Sequence, residues 1–359
     1  MPNHHDQYRI SRLGGSPVFA IPVARRRVRL AAARRFQADS WKRAAFQRAI
    51  RGAIVAGVDR WLWPAADGPF DDSADKESTH KKSVKFNFSG WLNDLRGVLE
   101  EPTAVAAVVW PPQADRGRVY VHLLAASGDP VAFAKISFDA ANDHCLNVEA
   151  ETLRQLQSLS LSQCHPPALL AESTHNGHRY VVVEPLPENA RPVEQSWRSY
   201  PSDCVVQYAG QHERLTAEKV ADLDWWKAYQ HGSSVGTDAF RQELNNAIQD
   251  GLDVCRVHGD LGPGNLVLES NPRRLWLFDW ENSHPRGPKL TDRVNFFIAI
   301  SQATILSDPI RGLRELAAHF FSADPRFARK DVLAALAYLH TVDIRGATAL
   351  IQQWDRLPT

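Results

Sequence analysis

The sequence predicts an α+β protein, and three observations carry that prediction. β-prone runs crowd positions 104 to 136 and return near 180, one helical pattern interrupts them at 147 to 156, and apolar residues beyond position 225 recur at helical intervals. Ala104 to Trp110 is the first of these strands. Val119 to Leu124 and Val131 to Ile136 follow, joined by the turn-forming Ser127-Gly128-Asp129-Pro130, and read as a hairpin with Lys135 near the end of its second strand. In the helical stretch Leu153 and Leu156 define a buried stripe, and Glu149 lies on the same side, four and seven residues before them. Tyr180 to Val183 is a further strand that runs into Glu184-Pro185-Leu186. Trp225-Trp226, Phe240 to Ile248, Val294 to Ile305 and Lys330 to Leu339 supply the helical texture of the C-terminal part.

The chemistry concentrates between the last strands. Val257-His258-Gly259-Asp260 is followed by Leu261-Gly262-Pro263-Gly264, which forces a tight loop, and Asn265 then opens the β-prone Asn-Leu-Val-Leu. The apolar run Leu275-Trp276-Leu277-Phe278 leads to Asp279, with Glu281 two residues beyond, on the same face if the strand continues. Phosphoryl transfer needs one carboxylate to orient the attacking hydroxyl, and a side-chain oxygen plus a second carboxylate to hold the metal that neutralises the nucleotide phosphates. Asp260, Asn265 and Asp279 supply that set.

This ordered pattern, His-Gly-Asp, four residues, Asn, then an apolar strand ending in Asp, resembles the aminoglycoside phosphotransferase and choline kinase superfamily. The resemblance implies a two-lobed, protein-kinase-like fold with a small β-rich N-lobe carrying one key helix and a larger, mostly helical C-lobe. It implies that Asp260 is the catalytic base and that Asn265 and Asp279 are magnesium ligands, with ATP as donor and GTP as the alternative. It also implies that Lys135 contacts the nucleotide phosphates and is steadied by a glutamate of the following helix, Glu149 in preference to Glu151. Glu184 and Leu186 then occupy the hinge where backbone groups meet adenine. No Gly-rich loop precedes Lys135; Pro111 to Arg118 stands in its place, with Arg116 and Arg118 as candidate phosphate contacts. His258 and Asp292 fall at supporting positions, and Glu281 beside substrate or metal.

Composition agrees with a globular enzyme. A chain of 359 residues, 44% hydrophobic and 23% charged, is ample for a buried core. A net charge of +1 gives no global attraction to nucleic acid, and no apolar run reaches the roughly 20 residues of a membrane-spanning helix. The N-terminus lacks a secretory pattern, so a cytoplasmic location is the expectation. Cys145, Cys164, Cys204 and Cys255 are too widely spaced to imply a zinc site or a disulfide framework.

Three segments are expected: an N-terminal extension at 1–100 with a basic helical stretch, a kinase-like N-lobe at 101–185, and a C-lobe with the catalytic loop at 186–359. Arg25-Arg26-Arg27, Arg29, Arg34 and Arg35 form a local basic run, followed by an amphipathic stretch from Ser40 to Leu62. Weak peripheral membrane contact through Arg25 to Arg35 is one reading and a solvated helix face the other. Asp67 to Lys82 reads as a loop or linker.

The acceptor is a hydroxyl on a small molecule. A long arginine-bearing segment ahead of kinase-like lobes also resembles bacterial phosphotransferases associated with surface-polysaccharide gene clusters, which implies a sugar or glycan intermediate. An aminoglycoside is the nearest alternative, for which Asp222, Asp224 and Glu281 are the acidic candidates. A pseudokinase scaffold is the non-enzymatic alternative, against which the joint presence of Lys135, Asp260, Asn265 and Asp279 speaks. Trp225 and Trp226 are read either as an acceptor platform or as core.

Overall fold

The computed structural model describes residues 7–13, 15–36, 41–70, 86–111, 117–232, 236–321 and 325–357. The chain divides into two compact units, residues 1–150 with 167–188, and residues 151–166 with 189–359.

The first unit is built on an eight-stranded antiparallel sheet. Its strands are β1 (Tyr8–Leu13), β2 (Ser16–Pro22), β3 (Ala65–Ala66), β4 (Val105–Val109), β5 (Arg118–Leu124), β6 (Pro130–Ser137), β7 (Leu169–His175) and β8 (His178–Val183). Their spatial order is β3-β1-β2-β4-β5-β6-β8-β7. The helices of this unit are α1 (Arg26–Arg35), α2 (Trp41–Ala56), α3 (Asp59–Leu62) and α4 (Phe88–Val98). β4 explains why its sequence is apolar without alternation: Ala106 and Val108 enter one core with Trp91, Leu92 and Leu95 of α4, while Val105, Ala107 and Val109 enter the other with Val28, Phe36, Ile50 and Ile54. A strand covered on both faces has no solvent side to mark with polar residues.

The hairpin reads as its turn residues require. Tyr120 stands opposite Lys135 across β5 and β6, and Lys135 stands opposite Val181 on β8. Helix α5 (Ala140–Gln157) begins after Asp139, whose carboxylate accepts from the backbone N–H of Asn142 at 2.8 Å. Leu146, Ala150, Leu153 and Leu156 form its buried stripe.

The second unit carries two small sheets and most of the helices. β10 (Glu213–Leu215), β11 (Leu252–Val257) and β14 (His284–Pro288) form one sheet, and β9 (Arg191–Pro192), β12 (Leu266–Ser270) and β13 (Arg273–Leu277) the other. The helices are α6 (Ser202–Ala209), α7 (Ala217–Ala221), α8 (Asp224–His231), α9 (Asp238–Gln249), α10 (Thr291–Ser307), α11 (Pro309–Phe320), α12 (Pro325–Thr341) and α13 (Arg345–Ile351). α10 is central: Val294, Phe296, Phe297, Ile298 and Ile305 are buried along it. No helix among the described residues is long and apolar enough to cross a membrane. All four cysteines are free thiols.

Candidate active site

The His-Gly-Asp loop leaves β11 at Val257 and turns sharply at Gly259, where φ is +81°. A Cβ there would lie 1.9 Å from the carbonyl oxygen of Asn282, so only glycine fits both the backbone conformation and the close approach. His258 is fully buried. Its Nδ1 accepts from the backbone N–H of Asp260 at 3.2 Å, which leaves Nε2 to carry the proton and donate to the carbonyl of Phe278 at 3.0 Å. The imidazole thus ties the Asp260 turn to the residue just before Asp279.

Asp292, in the first turn of α10, fixes the same loop from below. Its carboxylate accepts from the backbone N–H groups of His258 at 2.8 Å and Gly259 at 2.9 Å, and from the Tyr208 hydroxyl at 2.7 Å. Burial, reinforced by this carboxylate, pushes the Tyr208 phenol well above its usual range, so it remains a donor.

Asp260 is held at both oxygens. The Asn265 amide donates to its Oδ2 at 3.1 Å and to its backbone carbonyl at 2.8 Å, and the Asn295 amide donates to its Oδ1 at 3.2 Å. Burial raises the Asp260 carboxyl above the ordinary carboxylate range, and the charge of Asp279 adds to that, while the two amides favour the ionised form. Asn295 escaped the sequence reading; its spacing of three from Asp292, one helical turn on a buried helix, was the available signal.

β13 ends at Leu277, and Asp279 adopts the left-handed region at φ 69°, ψ 59°. The strand therefore does not continue to Glu281, contrary to the face-sharing expected from period two. Trp280–Asn282 is instead a 3₁₀ turn, because a left-handed residue reverses the pleat. Trp280 is fully buried, 4.4 Å between ring centroids from His258, and anchors the turn.

The donor set fits a magnesium ion. The charge of Asp279 raises the proton affinity of Asp260, a repulsion that a cation between them would relieve, and with its N–H donors committed to Asp260, Asn265 has its amide oxygen to offer. Among the described residues no three His, Cys, Asp or Glu side chains converge on a metal position. Such a partial protein set suits magnesium, which keeps water and substrate-phosphate oxygens as its other ligands.

In the first unit Lys135 and Glu149 form a buried ion pair, Nζ to Oε2 2.8 Å and to Oε1 2.9 Å, with the residues 6% and 2% exposed. Glu151 lies on the exposed side of α5 and binds Arg154 and Gln155. Arg118 is the first residue of β5 rather than a loop residue, buried, with its guanidinium 5.5 Å from the Tyr120 ring. Arg116 lies outside the described residues. Glu184 follows β8 and closes a local loop, its backbone N–H donating to Ala168 O at 2.8 Å and its Oε2 accepting from Ala168 N at 3.2 Å. The Leu186 carbonyl accepts from Arg35 at 3.4 Å. Trp225 and Trp226 are buried against Tyr338 and Tyr229, so they are core rather than an acceptor platform.

No protein-family model matches the sequence, and no curated protein is similar to it. Solved structures are similar. An aminoglycoside 3'-phosphotransferase of type VIII aligns over 70% of this chain and 98% of its own at 20% identity and a TM-score of 0.41. The GDP and kanamycin complex of the aminoglycoside phosphotransferase APH(2")-IIia aligns over 74% of this chain and 97% of its own at 12% identity and a TM-score of 0.43. The PknI kinase domain of Mycobacterium tuberculosis aligns over 68% of this chain and 95% of its own at 14% identity and a TM-score of 0.27. The fold is α+β. The described residues place an antiparallel sheet in the N-terminal part and most of the helices in the C-terminal part.

Proposed function

We propose that the protein is an ATP-dependent phosphotransferase that phosphorylates a hydroxyl of a small molecule, a sugar or glycan intermediate. The observation that carries this reading is the Asp260 carboxylate held by two amides, Asn265 and Asn295, with Asp279 close enough to raise its proton affinity.

In this reading Asp260 accepts a hydrogen bond from the acceptor hydroxyl, aims its oxygen at the γ-phosphorus, and takes the proton late. A carboxyl lifted by burial is better suited to receive that proton than a solvated one. Asn265 and Asp279 would hold magnesium, whose chemistry is to neutralise charge on the transferring phosphates. Lys135, held by its ion pair with Glu149, contacts the nucleotide phosphates, and the backbone around Glu184 and Leu186 receives the base. His258, Asp292 and Asn295 position the loop. The first unit is read as the nucleotide-holding part and the second as the catalytic part. A cytoplasmic location suits ATP as donor.

The deciding measurement compares wild type with Asp260→Asn and Asp279→Ala for magnesium-dependent ATP binding and turnover, followed by mass-spectrometric screening of sugars and aminoglycosides as acceptors. Binding with turnover lost in both variants supports the kinase. An absence of nucleotide binding in wild type would move the protein to the scaffold class. Phosphorylation of aminoglycosides alone would replace the sugar reading.

A further inference from the structure

The helices α1, α2 and α3 carry charge and apolar surface that phosphotransfer does not use. Residues 8–66 contain twelve arginines, and Arg25, Arg26, Arg27, Arg48, Arg51 and Arg60 are all exposed. None of these six makes an ion pair among the described residues. The single acid among the described residues of this segment, Asp59, is buried and held by Arg9 and Arg29. Nothing described in the segment therefore offsets the exposed charge.

Apolar side chains stand out beside it. Val55 is 54% exposed, Val58 42%, Trp61 78% and Leu62 58%, so four of the ten large apolar side chains exposed among the described residues lie within eight positions. The corner between α2 and α3 is fixed rather than loose: Arg26 donates to the Val55 carbonyl at 2.6 Å, and Arg9 donates to the carbonyls of Arg60 at 3.3 Å and Trp63 at 2.6 Å. The Arg60 guanidinium lies 5.6 Å from the Trp61 ring. A cavity of about 380 Å³ beside the corner is lined by Arg60 and by Arg9 and Arg29 with their partner Asp59, so of its cations only Arg60 is without an ion pair among the described residues.

We propose that this face docks the protein on an anionic phospholipid bilayer, with Trp61 and Leu62 entering the interface and the arginines meeting headgroup phosphates. Basic residues supply attraction to an anionic leaflet, and exposed tryptophan and aliphatic groups supply burial at the headgroup boundary. Nucleic acid would satisfy the arginines and leave Trp61, Leu62, Val58 and Val55 in water. The inference does not rest on the phosphotransfer reading.

The test is co-sedimentation of the full chain with phosphatidylcholine vesicles and with vesicles that also contain phosphatidylglycerol. The variants are Trp61→Ser with Leu62→Ser, and Arg48→Glu with Arg51→Glu; every altered side chain is exposed, and an unchanged thermal melt verifies the fold. Wild type should bind the mixed vesicles, lose binding as salt rises and ignore phosphatidylcholine alone, and each double variant should weaken binding about tenfold or more. The proposal is overturned by an absence of binding to mixed vesicles, by undiminished binding of the Trp61→Ser, Leu62→Ser variant, or by duplex DNA binding that equals vesicle binding and ignores Trp61 and Leu62.

Discussion

Asn295 and Asp260, 35 residues apart in the chain, meet through a 3.2 Å hydrogen bond from the amide to Oδ1. With Asn265 on Oδ2, the carboxylate cannot rotate without breaking one of the two contacts. A base that must aim a hydroxyl along the line of phosphoryl transfer depends on such fixity more than on its strength.

Asn295→Ala should therefore lower kcat about tenfold to a hundredfold with little change in the KM for ATP. It should also move the acid limb of the pH profile. The base works when ionised, so rate rises with pH through its pKa; removing a donor that favours the ionised form raises that pKa, and the limb shifts to higher pH. An unmoved limb would remove Asn295 from the positioning of Asp260.

Asp279→Asn should act on Asp260 in the opposite sense. The charge of Asp279 is one of the causes that raise the Asp260 carboxyl, so neutralising it lets that carboxyl titrate at lower pH. Carboxyl-carbon NMR reads this shift in the free protein, and magnesium-dependent turnover should be lost in the same variant.

Lys135→Met alone and Glu149→Leu alone should each destabilise the first unit by about 3 to 5 kcal/mol, because each leaves a buried charge without its partner. The double variant should regain most of that stability in thermal melts while failing to recover nucleotide affinity. Recovery of affinity in the double variant would show that the pair serves packing only.

Asp292→Ala should cost about 3 kcal/mol or more, since it strands three buried donors at once: the N–H groups of His258 and Gly259 and the Tyr208 hydroxyl. Urea titration followed by far-UV circular dichroism measures the loss.

A chain beginning at Thr103 should aggregate rather than fold. It would bare the β4 edge that pairs with β2, and the β4 face that packs on Phe36, Ile50 and Ile54. Light scattering and circular dichroism of the truncated chain check this.

The His-Gly-Asp loop and the Lys135 hairpin were legible in the sequence because their signals are local. A Gly-Pro-Gly interruption, a turn tetrapeptide and a two- or three-turn stripe are written within a dozen residues. β1 and β2 were not recognised, although Tyr8 and Ile10 alternate with Arg9 and Ser11, because the strand that ties them to the rest of the sheet, β4 beside β2, lies beyond four helices. The left-handed turn at Asp279 was hidden for a different reason: aspartate is one of the few non-glycine residues that enter that region, and nothing in a β-prone run announces it. Asn295 was missed because a buried amide on an apolar helix carries no mark of its target.

The pairing of β2 with β4 sets Phe19 opposite Val109. During synthesis, β2 leaves the ribosome about ninety residues before the strand it must join, a delay of roughly 5 to 18 seconds at ordinary elongation rates. Throughout that interval Phe19 and Ile21 lack their partner strand, and β1 with β2 is at most an isolated hairpin, which is marginally stable in water. The nascent chain thus passes through a period in which only α1 and α2 can cover this apolar face, and its folding yield should depend on how well that period is protected as well as on the stability of the finished sheet.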